Sequence, residues 1–426
     1  MASIQTHDRG MPAACDDVLE RSTNSPLTID VRVVDVLAET GITDKVARLV
    51  PIAIVKGWME RSVTLVLTGD VMFGRGIDQI LPHPGDPRLY EVSIRDARDY
   101  VALAERAHGP IPRRVDEAYV WGDALAALRA TPPHARIVNL ETSITTSENF
   151  SPKGINYRMN PTNIGCLAAA SVDCCVLANN HVLDWGEAGL LETLDTLKRA
   201  GIRYAGAGRN AEEVAAPAII DVVSGYRIAV FAFGLESSGI PHSWNAGPWR
   251  PGVNTLPDIS AKTISGIVDR ANAAHREGDL LVASIHWGPN WGYKIPLEHR
   301  VLAHELIDAA GFAIVHGHSS HHPLAIEIYR GRLILYGCGD FITDYEGIAG
   351  YKEYRNDLAL LYLPEFAVPS GSLMALSMRP FRMQNFRLNR ASTAEAAWLQ
   401  AMLDRESARL GTHAAGMSDG TLSAVW

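Results

Sequence analysis

The sequence predicts an α/β domain in which helices pack on mixed β-sheets. Two patterns indicate this class: apolar, β-branched runs alternate with amphipathic helical segments, and pairs of strands follow toward the C-terminus. The composition agrees, because 47% of the 426 residues are apolar, 20% are charged and 7% are aromatic. These values exclude a disordered, collagen-like or coiled-coil protein, and a mass of 46.3 kDa allows one large domain or two ordinary ones.

The first elements of the main body are buried strands and one clearly amphipathic helix. The expected strands are Val63–Thr68, Arg136–Leu140 and Asp173–Ala178. Glu187–Ala200 has the periodicity of a helix, and Gly201 directly after it marks the helix end. Ala218–Val223 and Arg227–Phe233 are expected to pair as a hairpin with its turn at Ser224.

The second half of the chain adds two more helices and several strands before a final helix. In chain order the expected elements are a helix (Asp258–Arg276), a strand (Leu280–Ile285), a helix (Leu297–Ala310), a strand (Phe312–Val315), a hairpin (Ala325–Tyr329 with Leu333–Tyr336) and a strand pair (Leu358–Leu363 with Leu373–Met378). The last helix, Ser392–Leu410, carries Ser392 and Glu395 at the spacing of a capping box, and Gly411 lies beyond its end.

The N-terminal segment differs from the rest in lacking a strong motif. Residues 1–62 are expected to form an extension packed on the main domain, which spans residues 63–426. In the extension, Thr28–Leu37 alternates like a strand and Asp44 is placed to cap a short helix. Residues 83–118 hold many charges and prolines and are predicted to form an excursion over the active face. The N-terminus lacks the pattern of a secretory signal, and no uncharged apolar run reaches about 18 residues. We therefore expect no membrane span and a cytoplasmic protein.

Charge and cysteine content exclude two further classes. With 39 basic and 48 acidic residues the net charge is −9, and a chain this acidic lacks the basic footprint that non-specific nucleic-acid binding requires. Five cysteines, an odd number in a long chain, imply no disulfide framework. Cys174 and Cys175 stand side by side in an apolar run and are expected to be buried structural thiols.

Polar residues gather directly after the predicted strands, where open α/β folds place ligands. The segments concerned are GDVMFGR (69–75), NLET (139–142), NNHVLD (179–184), HWG (286–288), HGHSSHH (316–322) and GCGDF (337–341). One such segment alone is typical of a helix cap or a packed side chain. Six in chain order predict a metal site.

The donor types in these segments restrict the metal. Carboxylate, amide and imidazole groups together suit Mn, Fe, Zn, Mg or Ca, and they argue against a thiolate site. A carboxylate shared between two ions roughly 3.5–4 Å apart would make a two-metal centre. We therefore expect one or two divalent ions and no nucleotide cofactor.

The ordered series of motifs, from about Val63 to Tyr345, resembles the CapA family, which is named for capsular poly-γ-glutamate synthesis. The resemblance implies the fold of the calcineurin-like metallophosphatases, a four-layer α/β/β/α sandwich. It also implies a set of metal ligands, with Glu141 bridging two ions. Asn180, His286 and His318 would complete one ion, and Asp70 and His321 would hold the other.

Two positions depart from the metallophosphatase pattern. Those enzymes usually have a histidine two residues after the first aspartate, where this chain has Met72, and their last motif is His-x-His, where this chain has Ser320 followed by His321. Both departures weaken the same ion site. A single tightly bound metal and feeble activity on phosphoesters are therefore expected.

Further residues of the motifs are candidates for proton transfer. His181 with Asp184 resembles a general acid/base oriented by a carboxylate, the alternative being a structural hydrogen bond. A second histidine, His316 or His322, is expected to act on the opposite face of the substrate.

Other residues are candidates for substrate binding. Arg75 and the KGINYR segment, with Lys153, Tyr157 and Arg158, resemble the family's anion-binding positions, the alternative being a solvated loop. Trp287 is one of several tryptophans near the motifs that could line an aromatic-accepting cleft or pack in the core.

Three function classes follow from the resemblance. The first is a metal-dependent peptide epimerase that inverts a Cα centre in a ribosomally made, lasso-type precursor peptide, with the metal acting as a Lewis acid toward the enolate. The second is a metal-dependent hydrolase or amide-bond enzyme of the poly-γ-glutamate type, or a metallophosphoesterase. The third is a non-catalytic binding protein. The expected partner is a peptide substrate, without nucleic acid or membrane, and the oligomeric state is left open.

Overall fold

The computed structural model describes residues 61–426 except 131, 223–224 and 349. Four predictions concern residues outside this part: the packing of the N-terminal extension, the strand Thr28–Leu37, the helix beginning near Asp44 and the turn at Ser224. The described residues form two large mixed β-sheets and two short strand pairs, with helices between the strands.

The strands and helices are numbered in chain order. The strands are β1 (Arg61–Val71), β2 (Ala135–Leu140), β3 (Ser143–Ile144), β4 (Arg158–Met159), β5 (Cys174–Val176), β6 (Arg203–Ala205), β7 (Ala207–Gly208), β8 (Ala218–Asp221), β9 (Arg227–Leu235), β10 (Gly252–Val253), β11 (Thr255–Leu256), β12 (Leu280–His286), β13 (Ile314–His318), β14 (Ile326–Tyr329), β15 (Arg332–Leu335), β16 (Asp340–Ile342), β17 (Leu358–Val368), β18 (Leu373–Gln384), β19 (Arg387–Arg390), β20 (His413–Gly416) and β21 (Leu422–Val425). The helices are α1 (Arg98–His108), α2 (Ala124–Ala130), α3 (Gly165–Ala169), α4 (Gly186–Arg199), α5 (Ala211–Ala215), α6 (Ala261–Ala274), α7 (Leu297–Ala310) and α8 (Thr393–Ser407).

Each large sheet has a parallel centre and antiparallel strands toward at least one edge. The first sheet has the order β20-β21-β18-β17-β1-β2-β5-β6, with β16 also pairing with β1 and β19 with β18. The second sheet has the order β11-β9-β12-β13-β15-β14, with β8 pairing with β9. Strands β1, β2 and β5 are parallel, as are β9, β12 and β13. Their carboxyl ends therefore collect the polar segments of the sequence.

Alternate residues of the second sheet pack into two different cores. Val230 of β9 and Val282 of β12 belong to the core that contains Leu65 of β1. Phe231, the next residue of β9, belongs instead to the core that contains Ile267 of α6 and the apolar face of α7. One face of the second sheet thus packs on the first sheet and the other on helices, while α4 contacts β6 of the first sheet. The layers have the α/β/β/α order that the family resemblance implies.

Most predicted elements are confirmed by the structure. α7 has the predicted bounds, and the Ser392–Glu395 capping box forms at the start of α8. The predicted strand pairs are the antiparallel pairs β14–β15 and β17–β18. The strand predicted at Phe312–Val315 is shifted to β13, because the amide of Phe312 still donates to the carbonyl of Leu306 as the chain leaves α7, at 3.4 Å.

Two further expectations concern composition. No described helix is both long enough and apolar enough to cross a bilayer. The four described cysteines, Cys166, Cys174, Cys175 and Cys338, are buried thiols, and the burial predicted for Cys174 and Cys175 is confirmed.

Candidate metal centre

The carboxyl ends of the central strands bring the predicted ligands together between the two sheets. In the first sheet, Asp70 of β1 stands in register with Asn139 of β2. In the second sheet, His286 at the end of β12 stands in register with His318 at the end of β13. Both histidines follow the alternation that turns Val282 toward the first sheet, so their side chains face the first sheet's oxygen donors.

A relay of hydrogen bonds fixes the tautomer of His318. His316 Nε2–H donates to the carbonyl of Thr68 at 2.8 Å, so His316 Nδ1 accepts from the hydroxyl of Ser284 at 3.0 Å. The oxygen of Ser284 then accepts from His318 Nε2–H at 2.9 Å. His318 is thereby left with its lone pair on Nδ1, the atom that faces His286. Partners of this kind orient metal-ligating histidines and set their tautomers.

His286 has more acceptors around it than it can satisfy. Its Nδ1 lies 2.7 Å from His318 Nδ1, and its Nε2 lies 3.1 Å from Asn180 Oδ1. Burial, followed by the neighbouring His181, lowers the pKa of His286 well below its usual range, so the ring is neutral and has one N–H. One contact between two acceptors therefore remains, and a cation bound there would satisfy it.

The first sheet supplies carboxylates that are held close together. The amide of Asn139 donates to Asp70 Oδ1 at 2.7 Å and to Glu141 Oε2 at 3.0 Å. Burial, followed by repulsion from Asp340, raises the pKa of Asp70 to about 7. Burial and the charge of Asp70 raise the pKa of Glu141 well above its usual range. Asp70 Oδ2 is buried and has no hydrogen-bond partner among the described residues.

These features fit a divalent cation. One ligand atom from each of Asp70, His286 and His318 lies within 4.8 Å of the other two. Glu141 Oε1 is 3.9 Å from His286 Nε2, on the side where Asn180 approaches the same nitrogen. Oxygen donors together with neutral imidazoles are the ligands of Zn, Mn and Fe sites. The sixth predicted ligand, His321, lies beside Asp340, and its Nδ1 is 2.8 Å from Asp340 Oδ1. That Glu141 bridges two ions stays a prediction.

His181 lies beside this centre and is oriented as predicted. Its Nδ1 is 2.7 Å from Asp184 Oδ2, and its Nε2 is 3.9 Å from Glu141 Oε1. Asp184 is itself fixed by Lys153, whose ammonium lies 2.8 Å from Oδ1, and by the amide of Tyr157 at 2.6 Å from Oδ2. Burial lowers the pKa of His181 to about 4 despite the opposing effect of Asp184. His181 is therefore neutral near pH 7, with a lone pair on Nε2.

A cleft of about 360 Å³ lies beside these groups. Glu141, Asn180 and His181 line one part of it, and His321 and Tyr345 line another. Such a volume is within the range of small-molecule and peptide side-chain sites.

The two histidines predicted as the second acid/base do not reach the cleft. His316 lies behind His318, where it binds the carbonyl of Thr68 and, through Ser284, orients the candidate ligand His318. His322 donates from Nδ1 to the carbonyl of Pro323 at 3.2 Å and accepts from the amide of Gly292 at 3.2 Å. Because both ring nitrogens of His322 are engaged by backbone groups, the prediction of a catalytic role for either histidine is not supported.

Arg75 is placed in a buried ion cluster. Its guanidinium pairs with Asp344 and donates to Glu91 at 3.0 Å and to the hydroxyl of Tyr100 at 2.9 Å. The guanidinium lies over the rings of Tyr100 and Tyr157, 3.9 and 4.4 Å from their centroids. Its partners belong to the chain itself, so the structure does not support the prediction of anion binding. Arg75 instead ties the predicted excursion, through Glu91 and Tyr100, to the segment after β16.

Two other predicted substrate-binding residues point away from the cleft. Arg158 donates to the carbonyls of Ser147 and Asp86 and stacks on Trp185, with 3.9 Å to the ring centroid. Trp287 follows His286 and therefore lies on the opposite face of β12, where it stacks on His299 with ring centroids 4.5 Å apart. Its indole N–H donates to a backbone carbonyl at 2.9 Å. Packing, the alternative interpretation of Trp287, is the one that the structure supports.

Two other predicted residues support His181 and the cleft wall. Lys153 lines the cleft as predicted, with its ammonium committed to Asp184 and to the carbonyl of Asn180. Tyr157 is fully buried, and its ring packs edge-on to His181 with centroids 4.5 Å apart. Its hydroxyl lies 2.6 Å from the hydroxyl of Tyr345, so it contacts the cleft wall from behind.

Sequence reasoning missed several residues of the site, although all are in or next to the quoted motifs. Asn179 donates to Asn139 Oδ1 at 3.0 Å and accepts from the amides of His181 and Val182. Tyr345 lines the cleft, and its hydroxyl is 3.8 Å from the sulfur of Met72. The remaining missed residues, Asn139, Ser284 and Asp340, act on the ligands described above. Their only signal in the sequence is their position at the strand ends.

The chain is similar to proteins that are named for capsule and polyglutamine synthesis. Residues 64–345 match the family described as "Bacterial capsule synthesis protein PGA_cap". A "probable polyglutamine synthesis accessory protein" of Mycobacterium tuberculosis is 46% identical over 365 residues, which are 85% of this chain and 96% of that protein. The "capsule biosynthesis protein CapA" of Bacillus anthracis is 27% identical over 77% of this chain and 72% of its own. A solved phosphatase of Mycoplasma pneumoniae aligns with 76% of this chain and 95% of its own, at 12% identity and a TM-score of 0.41.

Proposed function

This chain belongs to the bacterial capsule synthesis protein PGA_cap family, and on that premise we propose that it is a metal-dependent enzyme acting on the amide bonds of a peptide of glutamine or glutamate type. The names of the relatives support this substrate class, since they refer to polyglutamine synthesis and to capsule biosynthesis. The observation that carries the proposal is a neutral, oriented imidazole beside a cluster of buried metal-ligand groups in one cleft.

The ligand set would hold a divalent cation with Asp70, His286 and His318, with Glu141 and Asn180 beside them. When bound, such a cation supplies Lewis-acid polarisation of a substrate carbonyl.

His181 supplies the proton transfer in this proposal. Asp184 accepts Nδ1–H and keeps the lone pair on Nε2 facing the cleft, and Lys153 holds Asp184 in place. In amide hydrolysis, Nε2 takes a proton from the attacking water and then delivers it to the nitrogen of the departing amine. One proton leaves the water and one reaches the amine, so the imidazole ends neutral. Such general acid/base transfer contributes roughly 10²–10⁴-fold to the rate.

A peptide epimerase is the second candidate, because a second proton-transfer group lines the cleft. Tyr157 O–H donates to the hydroxyl of Tyr345 at 2.6 Å, and the proton of Tyr345 faces only the weak acceptor sulfur of Met72, at 3.8 Å, which a substrate could replace. In this reaction His181 Nε2 removes the Cα proton from one face, and Tyr345 returns a proton to the other face. Exchange with water then takes the proton from His181 and restores the proton of Tyr345, so both groups end as they began. Tyr345 then takes the place predicted for His316 or His322.

The reaction is tested with the metal-loaded, full-length protein and poly-γ-glutamate as the probe, together with synthetic peptides containing internal glutamine or glutamate. Reactions run in D₂O and in H₂¹⁸O are analysed by mass spectrometry and chiral amino-acid analysis. Amide hydrolysis predicts shorter products with ¹⁸O at the new carboxylate and no deuterium at Cα. Epimerisation predicts a full-length product with one deuterium and one inverted residue.

A pair of histidine variants makes this test specific. His181→Ala is expected to keep its metal and to lose turnover by about 10²–10⁴-fold. His322→Gln changes a histidine whose nitrogens bind backbone groups, and it should keep most of the activity. The proposal is contradicted if the wild-type protein shows no cleavage and no exchange. It is also contradicted if His181→Ala is fully active.

Phosphoester hydrolysis is expected to be weak. Met72 and Ser320 replace histidines of the phosphatase pattern, and Ser320 donates its hydroxyl proton to the carbonyl of His322 at 2.9 Å rather than facing the ligands. Efficient turnover of p-nitrophenyl phosphate by the metal-loaded protein would show this expectation to be wrong.

A further inference from the structure

Tyr345 lines the cleft and also two further cavities, of about 180 and 500 Å³. The smaller cavity shares Asn290 and His321 with the cleft, and it shares Ile348 and Asn356 with the larger one. The three spaces therefore adjoin one another in a row that begins beside the candidate metal centre. The 500 Å³ space at the end of this row is called the outer cavity. Its titratable lining residues other than Tyr345 are His108, Glu346, Lys352, Arg355, Asp357 and Arg382.

The middle cavity of the row has an aromatic wall. Trp291 and Tyr351 stack with ring centroids 4.1 Å apart, and Trp291 also packs near His321, with centroids 5.3 Å apart. Tyr351 is about half exposed although its ring lies flat against a tryptophan. Aromatic faces of this kind pack against the methylene groups of long polar side chains. A peptide bound in the cleft can therefore continue past Tyr345 into the outer cavity.

The two arginines of the outer cavity are paired but keep free donors. Arg355 donates from Nε and Nη2 to the two carboxylate oxygens of Asp357, at 2.7 and 2.8 Å. Arg382 donates from Nη1 to Glu395 Oε1 at 3.1 Å. Among the described residues, nothing accepts a hydrogen bond from Arg355 Nη1 or Arg382 Nη2, and about a third of each side chain is exposed. Both nitrogens are thus available to an acceptor that enters the cavity.

Lys352 adds a positive charge that is not compensated in the cavity. It is exposed, and no carboxylate of the described residues forms an ion pair with it. Glu346, which also lines the cavity, accepts from the amides of Asn385 at 2.8 Å and Phe386 at 3.0 Å and is bound by His108. Both oxygens of Glu346 are therefore engaged. The other two carboxylates pair with the arginines, so the charge of Lys352 is in excess.

We propose that the outer cavity binds a carboxylate of the substrate, at a distance from the amide bond that reacts. This proposal rests on the peptide substrate of the proposed function, and it adds that the peptide is acidic and extends beyond the cleft. The Lys352 ammonium supplies the charge, and Arg355 and Arg382 supply hydrogen bonds, which are strong when donor and acceptor are both ionised. A chain with a net charge of −9 repels an acidic ligand at long range, so binding requires a local positive site of this kind.

The site is tested by measuring affinity rather than turnover. Calorimetry is run with the metal-loaded, full-length His181→Ala protein as the reference, so that a bound peptide stays intact. The probes are end-blocked oligomers of glutamate, α-linked and γ-linked, of increasing length from the dimer, and the same oligomers with every free carboxylate amidated. Once an oligomer is long enough to reach the outer cavity, the glutamate series should bind about tenfold more tightly than the amidated series, because hydrogen bonds between charged groups are the stronger ones.

Three lysine variants of the reference protein locate this rise in affinity. Lys352→Gln should lose the rise and keep the affinity for the dimer, whereas Lys352→Arg should keep the rise. Lys262→Gln is the matched control, because it removes the same charge from an exposed lysine of α6 that lines none of the three cavities. This control should keep the rise as well.

The proposal is overturned if the glutamate and amidated series bind equally well at every length, if no oligomer binds, or if Lys352→Gln keeps the rise. The reaction is judged separately by the turnover experiment described above. A rise that depends on Lys352 supports the outer cavity as a carboxylate site even where the wild-type protein turns over no peptide, and that second result contradicts the proposed function alone.

Discussion

The first sheet brings oxygen donors to the candidate metal centre, whereas the second sheet brings imidazoles. The oxygen donors at the ends of β1 and β2 are the carboxylates of Asp70 and Glu141. The amide side chain of Asn139 donates a hydrogen bond to each of them. His286 and His318 are at the ends of β12 and β13, and a serine and a third histidine fix the tautomer of His318.

The oxygen half and the imidazole half of the centre differ in how burial affects the protonation form that binds metal. In the oxygen half, burial raises the pKa values of Asp70 and Glu141 and so opposes the charged form that binds metal. In the imidazole half, burial lowers the pKa values of His286 and His318 and so favours the neutral form that binds metal. Burial therefore keeps the imidazoles in the neutral form that binds a cation. The carboxyl groups, in contrast, become fully ionised only when a cation is bound.

The largest expected effect comes from removing an imidazole. His286→Ala should lower divalent-metal affinity by more than about a hundredfold, because loss of a ligand exceeds the 10–100-fold that loss of a ligand's partner costs. Trp287→Phe is the matched control, since this neighbour lies on the opposite face of β12 and should keep the metal. Metal content by mass spectrometry and affinity by calorimetry measure both variants. Equal affinity of His286→Ala and the wild-type protein would remove His286 from the site.

A smaller effect is expected from the relay that orients His318. Ser284→Ala breaks both hydrogen bonds between His316 and His318, and metal affinity should fall about 10–100-fold while the fold is kept. Ser407→Ala removes another buried hydroxyl, one that accepts from the amide of Ile326 at 2.9 Å far from the ligands, and should leave affinity unchanged. If the two serine variants bind metal equally well, the tautomer of His318 does not depend on Ser284.

The smallest expected effect comes from a change far from the ligands in sequence, and it tests whether metal affinity depends on the free energy of unfolding. Ser392→Ala removes the capping box of α8, in which Ser392 accepts from the amide of Glu395, and should cost about 1 kcal/mol of unfolding free energy. Because α8 contributes no ligand, metal affinity should not change. Denaturant unfolding with and without metal measures both quantities. If Ser392→Ala also lowers metal affinity, the metal centre depends on the stability of α8.

The sequence alone predicted most elements and the α/β class because their signals are local, whereas the four-layer order was implied by the family resemblance. The apolar period of Leu297–Ala310 and the capping pair of α8 involve residues a few positions apart, and both are found as predicted. The strand-end rule then placed the polar segments near one another, since parallel strands end on the same edge of a sheet. The family resemblance selected from these segments the candidate ligands Asp70, Glu141, Asn180, His286, His318 and His321.

Tertiary structure alone decided which residue of each motif does which work. His286 and Trp287 are adjacent in the chain, but they lie on opposite sides of β12, so His286 is a candidate ligand and Trp287 is a core residue. His316 and His318 share a face of β13, but His316 binds the carbonyl of Thr68 on another sheet, whereas His318 contacts His286. Asp340 joins the site because β16 pairs with β1. These contacts join residues far apart in the chain, so no pattern of neighbouring residues records them.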